Sequence, residues 1–163
     1  MLGMTVKACV DTDTVSCSSL EVVNMDTTVQ EKAVAFPTAT RLYHKARAAL
    51  ARQAKRHGIV LRQSFERVSK IASAKSGRYA HARRMQRAKR EQKRLRTCLD
   101  WGLRDIERKL TEGARGKMAR LIEASLRIHS QQRYGKNKIY SVHAQEVECI
   151  TKGKSQKPYG FGV

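Results

Sequence analysis

Between residues 38 and 133 the apolar side chains recur at steps of three and four, the spacing of one face of an α-helix. The longest such run predicts a helix from about Arg78 to Leu110, roughly 50 Å at 1.5 Å per residue. One narrow seam, apolar except at Gln92, runs along it: Met85, Ala88, Gln92, Leu95, Leu99, Leu103, Ile106 and Leu110. Narrow seams favour helical hairpins packed on one another, not a thick globular core.

Three further helices are predicted around this one. The first begins after a Thr38 N-cap and ends at His57-Gly58. The second breaks near Ser76-Gly77, and Gly113 and Gly116 separate the long helix from the fourth. Their apolar positions are Leu42, Ala46, Ala49, Leu50 and Ala54; then Leu61, Phe65, Val68 and Ala72; then Met118, Leu121, Ile122, Ser125 and Ile128.

Positive charge is concentrated in this helical region. Residues 41–133 hold 27 Lys/Arg against 7 Asp/Glu, and the other 70 residues are neutral, although the whole chain carries +20. A field of this size indicates a polyanionic partner, most simply nucleic acid. An anionic membrane surface is the weaker choice, because the region lacks a broad Trp/Phe/Leu face. Without a transmembrane-length run or a signal-peptide pattern, the sequence predicts a cytoplasmic, nucleoid-associated protein.

The basic residues are densest at the start of the long helix, where Glu91 is the sole acid between Glu66 and Asp100. An ordinary solvated helix face mixes signs, so this run favours contact with DNA or RNA phosphates over a solvated face. Such contacts position a protein without reading sequence. Only Tyr79 and Trp101 interleave with the charges, which does not favour a base-stacking platform. The predicted DNA-binding residues are Arg83, Arg84, Arg87, Lys89, Arg90, Lys93, Arg94 and Arg96.

The segments on either side of the helical region are predicted to form β-strands. Residues 20–36 alternate with period two, and IYSVHA, VECI and YGFGV follow the turn-like YGKNK. Asp26 lies within the first of these strands, where a carboxylate is at a surface edge, paired with a base, or bound to a metal. Its candidate companions are Asp11, Asp13, Glu146 and Glu148, although surface pairing with Lys152 and Lys154 is the ordinary explanation of the two glutamates.

The remaining candidate residues give no motif. Four cysteines lack CxxC pairing, which predicts reduced thiols and neither a zinc site nor a disulfide framework. Five histidines are scattered, and no Ser or Cys lies in a nucleophile-elbow context.

Three stretches of the sequence, NMDTTVQEKAVAFPTATRLYHKAR, GRYAHARRMQRAKR and KIYSVHAQEVECITKGKSQKPYGFGV, carry a resemblance to a known family. They resemble the DDE-type insertion-sequence transposases that hold a helical insert within the nuclease fold. The resemblance implies an α+β fold: a partial RNase H-like mixed sheet interrupted by a basic helical insert. It also implies that Asp26 is the first of three catalytic carboxylates, which in the family bind two magnesium ions.

The sequence also departs from that family. The second aspartate and the glutamate of the triad lie beyond YGFGV in the family, and Gln145, Ala39 and Gly160 replace its usual Pro, Asp and Glu. We therefore expect a truncated transposase that binds transposon ends, associates with itself or with a full-length transposase, and lacks strand-cleavage activity alone. The alternative is a small basic helical nucleic-acid-binding protein or repressor. The expected division is an irregular segment 1–19, first strands 20–37, helical insert 38–133 and returning strands 134–163.

Overall fold

The computed structural model describes Thr12 and residues 36–132, 134–151 and 159–162. This part of the chain is mostly helical, and a two-stranded antiparallel sheet follows the helices. None of the described helices combines the length and the apolar character needed to cross a bilayer. The elements are α1 (Ala39–Arg56), α2 (Glu66–His81), α3 (Met85–Lys109), α4 (Glu112–Ser130), β1 (Glu148–Thr151) and β2 (Tyr159–Gly162).

Helix α1 begins and ends where the sequence predicted. The Thr38 hydroxyl accepts a hydrogen bond from the Arg41 N–H at 3.3 Å, as an N-cap does. At the other end His57 is the C-cap, and Gly58 follows with a φ of +69°. This left-handed conformation suits glycine and turns the chain away from the helix axis.

The predicted break near Ser76-Gly77 is wrong, because α2 continues through both residues to His81. Ser76 is buried, and its hydroxyl donates to the Ala88 carbonyl at 3.3 Å and lies 3.2 Å from Thr40 Oγ1. These contacts satisfy the hydroxyl within the helix packing, so Ser76 does not end the helix.

Helix α3 begins at Met85 instead of the predicted Arg78, because a Schellman motif ends α2. The Arg84 N–H donates to the Tyr79 carbonyl at 2.8 Å, and the Arg83 N–H donates to the Ala80 carbonyl at 3.0 Å. Arg83 occupies the left-handed position with a φ of 56°. Glycine is the usual residue there, so the local sequence carried no recognisable stop signal.

The predicted break at Gly113 and Gly116 is also wrong, since both glycines lie in the first turns of α4. The chain instead leaves the helical conformation at Leu110 and Thr111, which have ψ angles of 116° and 154°. Glycine costs only about 1 kcal/mol relative to alanine inside a helix, so packing of the following turns can retain it.

One hydrophobic core joins the four helices, with α1 packed against α2, α3 and α4. The predicted seam of α3 is confirmed at its centre, where Leu95, Leu99 and Ile106 are at most 1% exposed. It is wrong at its start, because Met85 is 57% exposed. The buried side of α3 is also broader than predicted, since Cys98, Gly102 and Asp105 are buried beside the seam.

The segment after α4 is only partly extended. The predicted strand IYSVHA does not form, although Ile139 and Val142 are buried in the helical core. Gln131 holds this segment by bonding both backbone groups of Ile139 through its side-chain amide. The predicted strands VECI and YGFGV correspond to β1 and β2, which pair with Cys149 opposite Phe161. A mixed RNase H-like sheet is not shown, and residues 20–35 lie outside the described residues.

Candidate nucleic-acid interface

The basic face is defined here as the eight predicted DNA-binding residues, Arg83, Arg84, Arg87, Lys89, Arg90, Lys93, Arg94 and Arg96. All eight are exposed. The first two lie in the turn that ends α2, and the other six lie in the first half of α3. The face therefore begins at the α2–α3 turn and continues along one helix.

Packing of α3 sets the direction of the basic face. At about 100° per residue, the buried positions Ala88, Leu95, Leu99 and Ile106 fall within about 40° of one another around the helix. The six basic positions lie about 80° to about 160° away from the centre of this buried stripe. Because the apolar side is fixed in the core, the basic side is held towards solvent.

Among the described residues, ion pairs do not neutralise the like charges on this face. The ion pairs among the described residues are Arg104–Asp100, Lys109–Asp105 and Arg115–Glu112, and none of them includes a residue of the basic face. Glu91 is partly buried, and its buried Oε2 lacks a hydrogen-bond partner in the described structure. Repulsion between cations at i,i+3 and i,i+4 is thus left to be relieved by counterions or by an anionic ligand.

Arg96 connects the basic face to α4. Its Nε–H donates to His129 Nε2 at 3.3 Å. Burial lowers the pKa of His129, and the positive charge of Arg96 lowers it further. A neutral imidazole can accept this hydrogen bond, so His129 orients Arg96 without adding a second full charge.

The predicted catalytic and metal-binding residue, Asp26, lies outside the described residues, as do Asp11 and Asp13. Glu146 and Glu148 are exposed in the segment around β1. Within the described ranges no group of three or more His, Cys, Asp or Glu residues could hold a metal ion. The magnesium site thus stays a prediction, and the described residues do not supply its ligands.

Sequence reasoning missed a cleft of about 560 Å³ between α1 and the loop that precedes α2. Arg47, at its wall, is buried; its Nη1 donates to the Ser64 carbonyl at 2.9 Å, while Nε has no partner among the described residues. Burial lowers the pKa of Arg47, and Glu66 opposes that shift. Arg52 and Lys55 also line the cleft. Only the positions of these basic residues on α1 could have pointed to it.

It also missed the setting of Trp101, which lies further along α3 and is 52% exposed. Its ring centroid lies 5.4 Å from that of Phe65, with the planes inclined at 40°. Phe65 itself has a φ of 52° at the start of α2. A contact between residues 36 positions apart has no sequence signal.

Comparison with known proteins gives one informative match. The chain is 54% identical over 83 residues to an uncharacterized protein, ORF8 in the nfe locus of Rhizobium meliloti. The match covers 51% of this chain and 40% of that protein, so the chain spans less than half of the relative's length. No family model matches the sequence, and no solved structure matches it.

Proposed function

We propose that this protein binds the phosphate backbone of DNA through the basic face. The observation that carries the proposal is the exposure of all eight cations, six of them on α3, whose other side is buried in the core. Each phosphate that a Lys or Arg neutralises releases counterions, which favours binding. Contacts of this kind fix the position of a protein on DNA but do not select a sequence.

The salt dependence of affinity tests this proposal. Fluorescence anisotropy of a labelled duplex, measured between about 50 and about 200 mM salt, should give an affinity that falls steeply with salt. Replacing Arg87, Arg90 and Arg94 together by alanine should weaken binding and reduce the slope of log K against log salt by up to about 2.7, or about 0.9 per lost contact.

A matched control separates the basic face from overall charge. Lys45, Arg52 and Arg56 are exposed on one side of α1, the helix packed against the buried side of α3. Their triple alanine variant removes the same charge and should leave the slope within the error of the wild type. If both triple variants lose the same affinity and the same salt slope, net charge and not the basic face drives binding.

Within this function, we propose that the chain is part of a DDE-type transposase that binds transposon ends. The support is the resemblance of NMDTTVQEKAVAF and of the later stretches, together with the basic helical region between them. Self-association or pairing with a full-length transposase, and a location on the nucleoid, belong to the same proposal. Asp26 would be a magnesium ligand, but we assign no cleavage step to this chain.

Cleavage assays test the transposase part separately. The chain and its Asp26→Ala variant are each incubated with transposon-end DNA and magnesium, and both should bind the ends. Cleavage that disappears in the variant would show that Asp26 acts in catalysis, whereas absent binding to transposon ends would contradict the transposase proposal.

A small basic helical nucleic-acid-binding protein or repressor without transposase ancestry is the second candidate. It is favoured by the helical core, in which Ile139 and Val142 pack against the helices, and by the lack of a mixed sheet within the described residues. The coding potential of the DNA downstream of the gene discriminates the two. An Asp and a Glu in helical context there, in any frame, supports the transposase; their absence together with absent inverted repeats supports the repressor.

A further inference from the structure

Trp101 continues the arginine row of the basic face. At about 100° per residue it falls between Arg87 and Arg90 around α3, within about 20° of Arg94. It lies seven residues beyond Arg94, about 10 Å along the axis at 1.5 Å per residue. That distance is about three nucleotide steps of a strand.

The indole of Trp101 is held in place and still exposed. Phe65 contacts it at 5.4 Å between ring centroids, a separation typical of favourable aromatic pairs. Phe65 has a left-handed backbone with a φ of 52°, which is a genuine outlier for a bulky residue. Its carbonyl accepts the Ser69 N–H at 2.9 Å, which ties the strained residue to the first turn of α2. Half of Trp101 nevertheless stays exposed to solvent.

We propose that Trp101 stacks on an unpaired nucleobase of a DNA strand whose phosphates lie along Arg87, Arg90 and Arg94. The proposal rests on the proposed DNA binding and adds a preference for single-stranded DNA at the end of a duplex. The charge of the neighbouring row favours a nucleic acid over an apolar partner, and every base offers a π-face to an aromatic ring. A blunt duplex keeps its bases stacked on one another and offers none at this position.

Intrinsic fluorescence tests the stacking directly, because Trp101 is the sole tryptophan of the chain. The full chain is titrated with a blunt duplex, with the same duplex carrying a single-stranded overhang, and with that overhang made abasic. We expect strong quenching only with the base-containing overhang. The abasic overhang keeps its phosphates, so anisotropy of labelled versions should still show binding.

Variants add a second readout. Trp101→Ala should weaken binding to the overhang about tenfold and leave binding to the blunt duplex unchanged. Trp101→Phe keeps an aromatic ring, so its affinity for the overhang should fall by less than that of Trp101→Ala. Ile71→Ala removes another exposed apolar side chain, 44% exposed on α2, and should change neither affinity.

Different failures overturn different statements. Binding seen by anisotropy with equal quenching by the base-containing and abasic overhangs would overturn stacking but keep the DNA-binding function. A concentration-dependent change of Trp101 emission without DNA would assign the indole to a contact between two copies of the chain and overturn stacking. Absence of binding to every oligonucleotide would overturn both proposals.

Discussion

Replacing Asp105 should break the contacts that join the loop between α1 and α2 to the C-terminal end of α3. The carboxylate is buried, accepts the Arg62 backbone N–H at 2.8 Å and pairs with Lys109 at 3.1 Å. Lys109 in turn donates to the Val60 carbonyl at 2.7 Å. One acidic side chain thus holds both a backbone donor of the loop and the lysine that bonds the same loop.

The magnitude follows from the two partners of Asp105. A hydrogen bond from a backbone N–H to a charged acceptor contributes about 1.5–3 kcal/mol, and the partly exposed Lys109 pair adds about 0.2–1 kcal/mol. Asp105→Ala should therefore lower the free energy of unfolding by about 2–4 kcal/mol. Asp105→Asn keeps an acceptor for Arg62 and should cost about 1–2 kcal/mol. Asp100→Asn is the control, because the exposed Arg104 pair should be worth less than about 1 kcal/mol.

The pH dependence adds an independent check. The hydrogen bond from Arg62 lowers the pKa of Asp105 below its ordinary value of 3.8, and Lys109 lowers it further against the effect of desolvation. A carboxylate with a lowered pKa in the folded state stabilises the fold fully above its unfolded pKa and loses that contribution as pH falls through the folded pKa. The Asn variant should therefore lose less stability than the wild type below about pH 4.

Urea unfolding followed by far-UV circular dichroism measures both effects, at about pH 7 and about pH 3. If the free energy of unfolding of Asp105→Ala lies within about 0.5 kcal/mol of the wild-type value at neutral pH, Asp105 does not stabilise the contact between the loop and α3. An Asn variant whose acid sensitivity matches the wild type would also contradict this role. A change in m-value would instead show that the variant altered the compactness of one state.

Two further predictions concern α2 and α1. Arg83→Gly should raise the free energy of unfolding by up to about 1 kcal/mol, because glycine adopts the left-handed conformation of this position without a steric penalty. Arg83→Ala should not raise the free energy of unfolding. Equal urea midpoints for the Gly and Ala variants would contradict this prediction. Burial, followed by the charges of Arg47 and Lys70, lowers the pKa of His44, so stability should fall as pH drops below the ordinary value of 6.5. A His44→Gln variant should show a smaller drop in melting temperature between about pH 7.5 and about pH 5, and an unchanged drop would assign the effect to another group.

The helices that the sequence predicted well are those with local signals at their ends. Thr38 and Gly58 carry their own cap chemistry, so the limits of α1 follow from neighbouring residues. The α2–α3 turn was missed because Arg83 takes a conformation usually left to glycine. Ser76 was misread as a breaker because its hydroxyl partners come from α1 and α3, which local sequence does not reveal.

A similar division holds for the candidate interface. Exposure of the basic face follows from helical period, since the apolar seam fixes which side is buried. The Asp105–Arg62 contact and the Phe65–Trp101 pair join residues 43 and 36 positions apart, so they depend on the helix packing. IYSVHA has the composition of a strand, but Ile139 and Val142 pack against helices instead of pairing in a ladder.

The Ser76 hydroxyl has a consequence for how uniquely the helices are arranged. It meets Thr40 of α1 and the Ala88 carbonyl of α3, so a single buried polar group joins three helices. Aliphatic side chains alone tolerate several rotational settings of a helix about its own axis, whereas a buried polar contact is satisfied in few of them. A rotation of α3 about its axis would move the Ala88 carbonyl away from the hydroxyl and leave that buried group without its acceptor. The Ser76 hydroxyl therefore narrows the rotation of α3 about its own axis within the orientation that the apolar seam already sets.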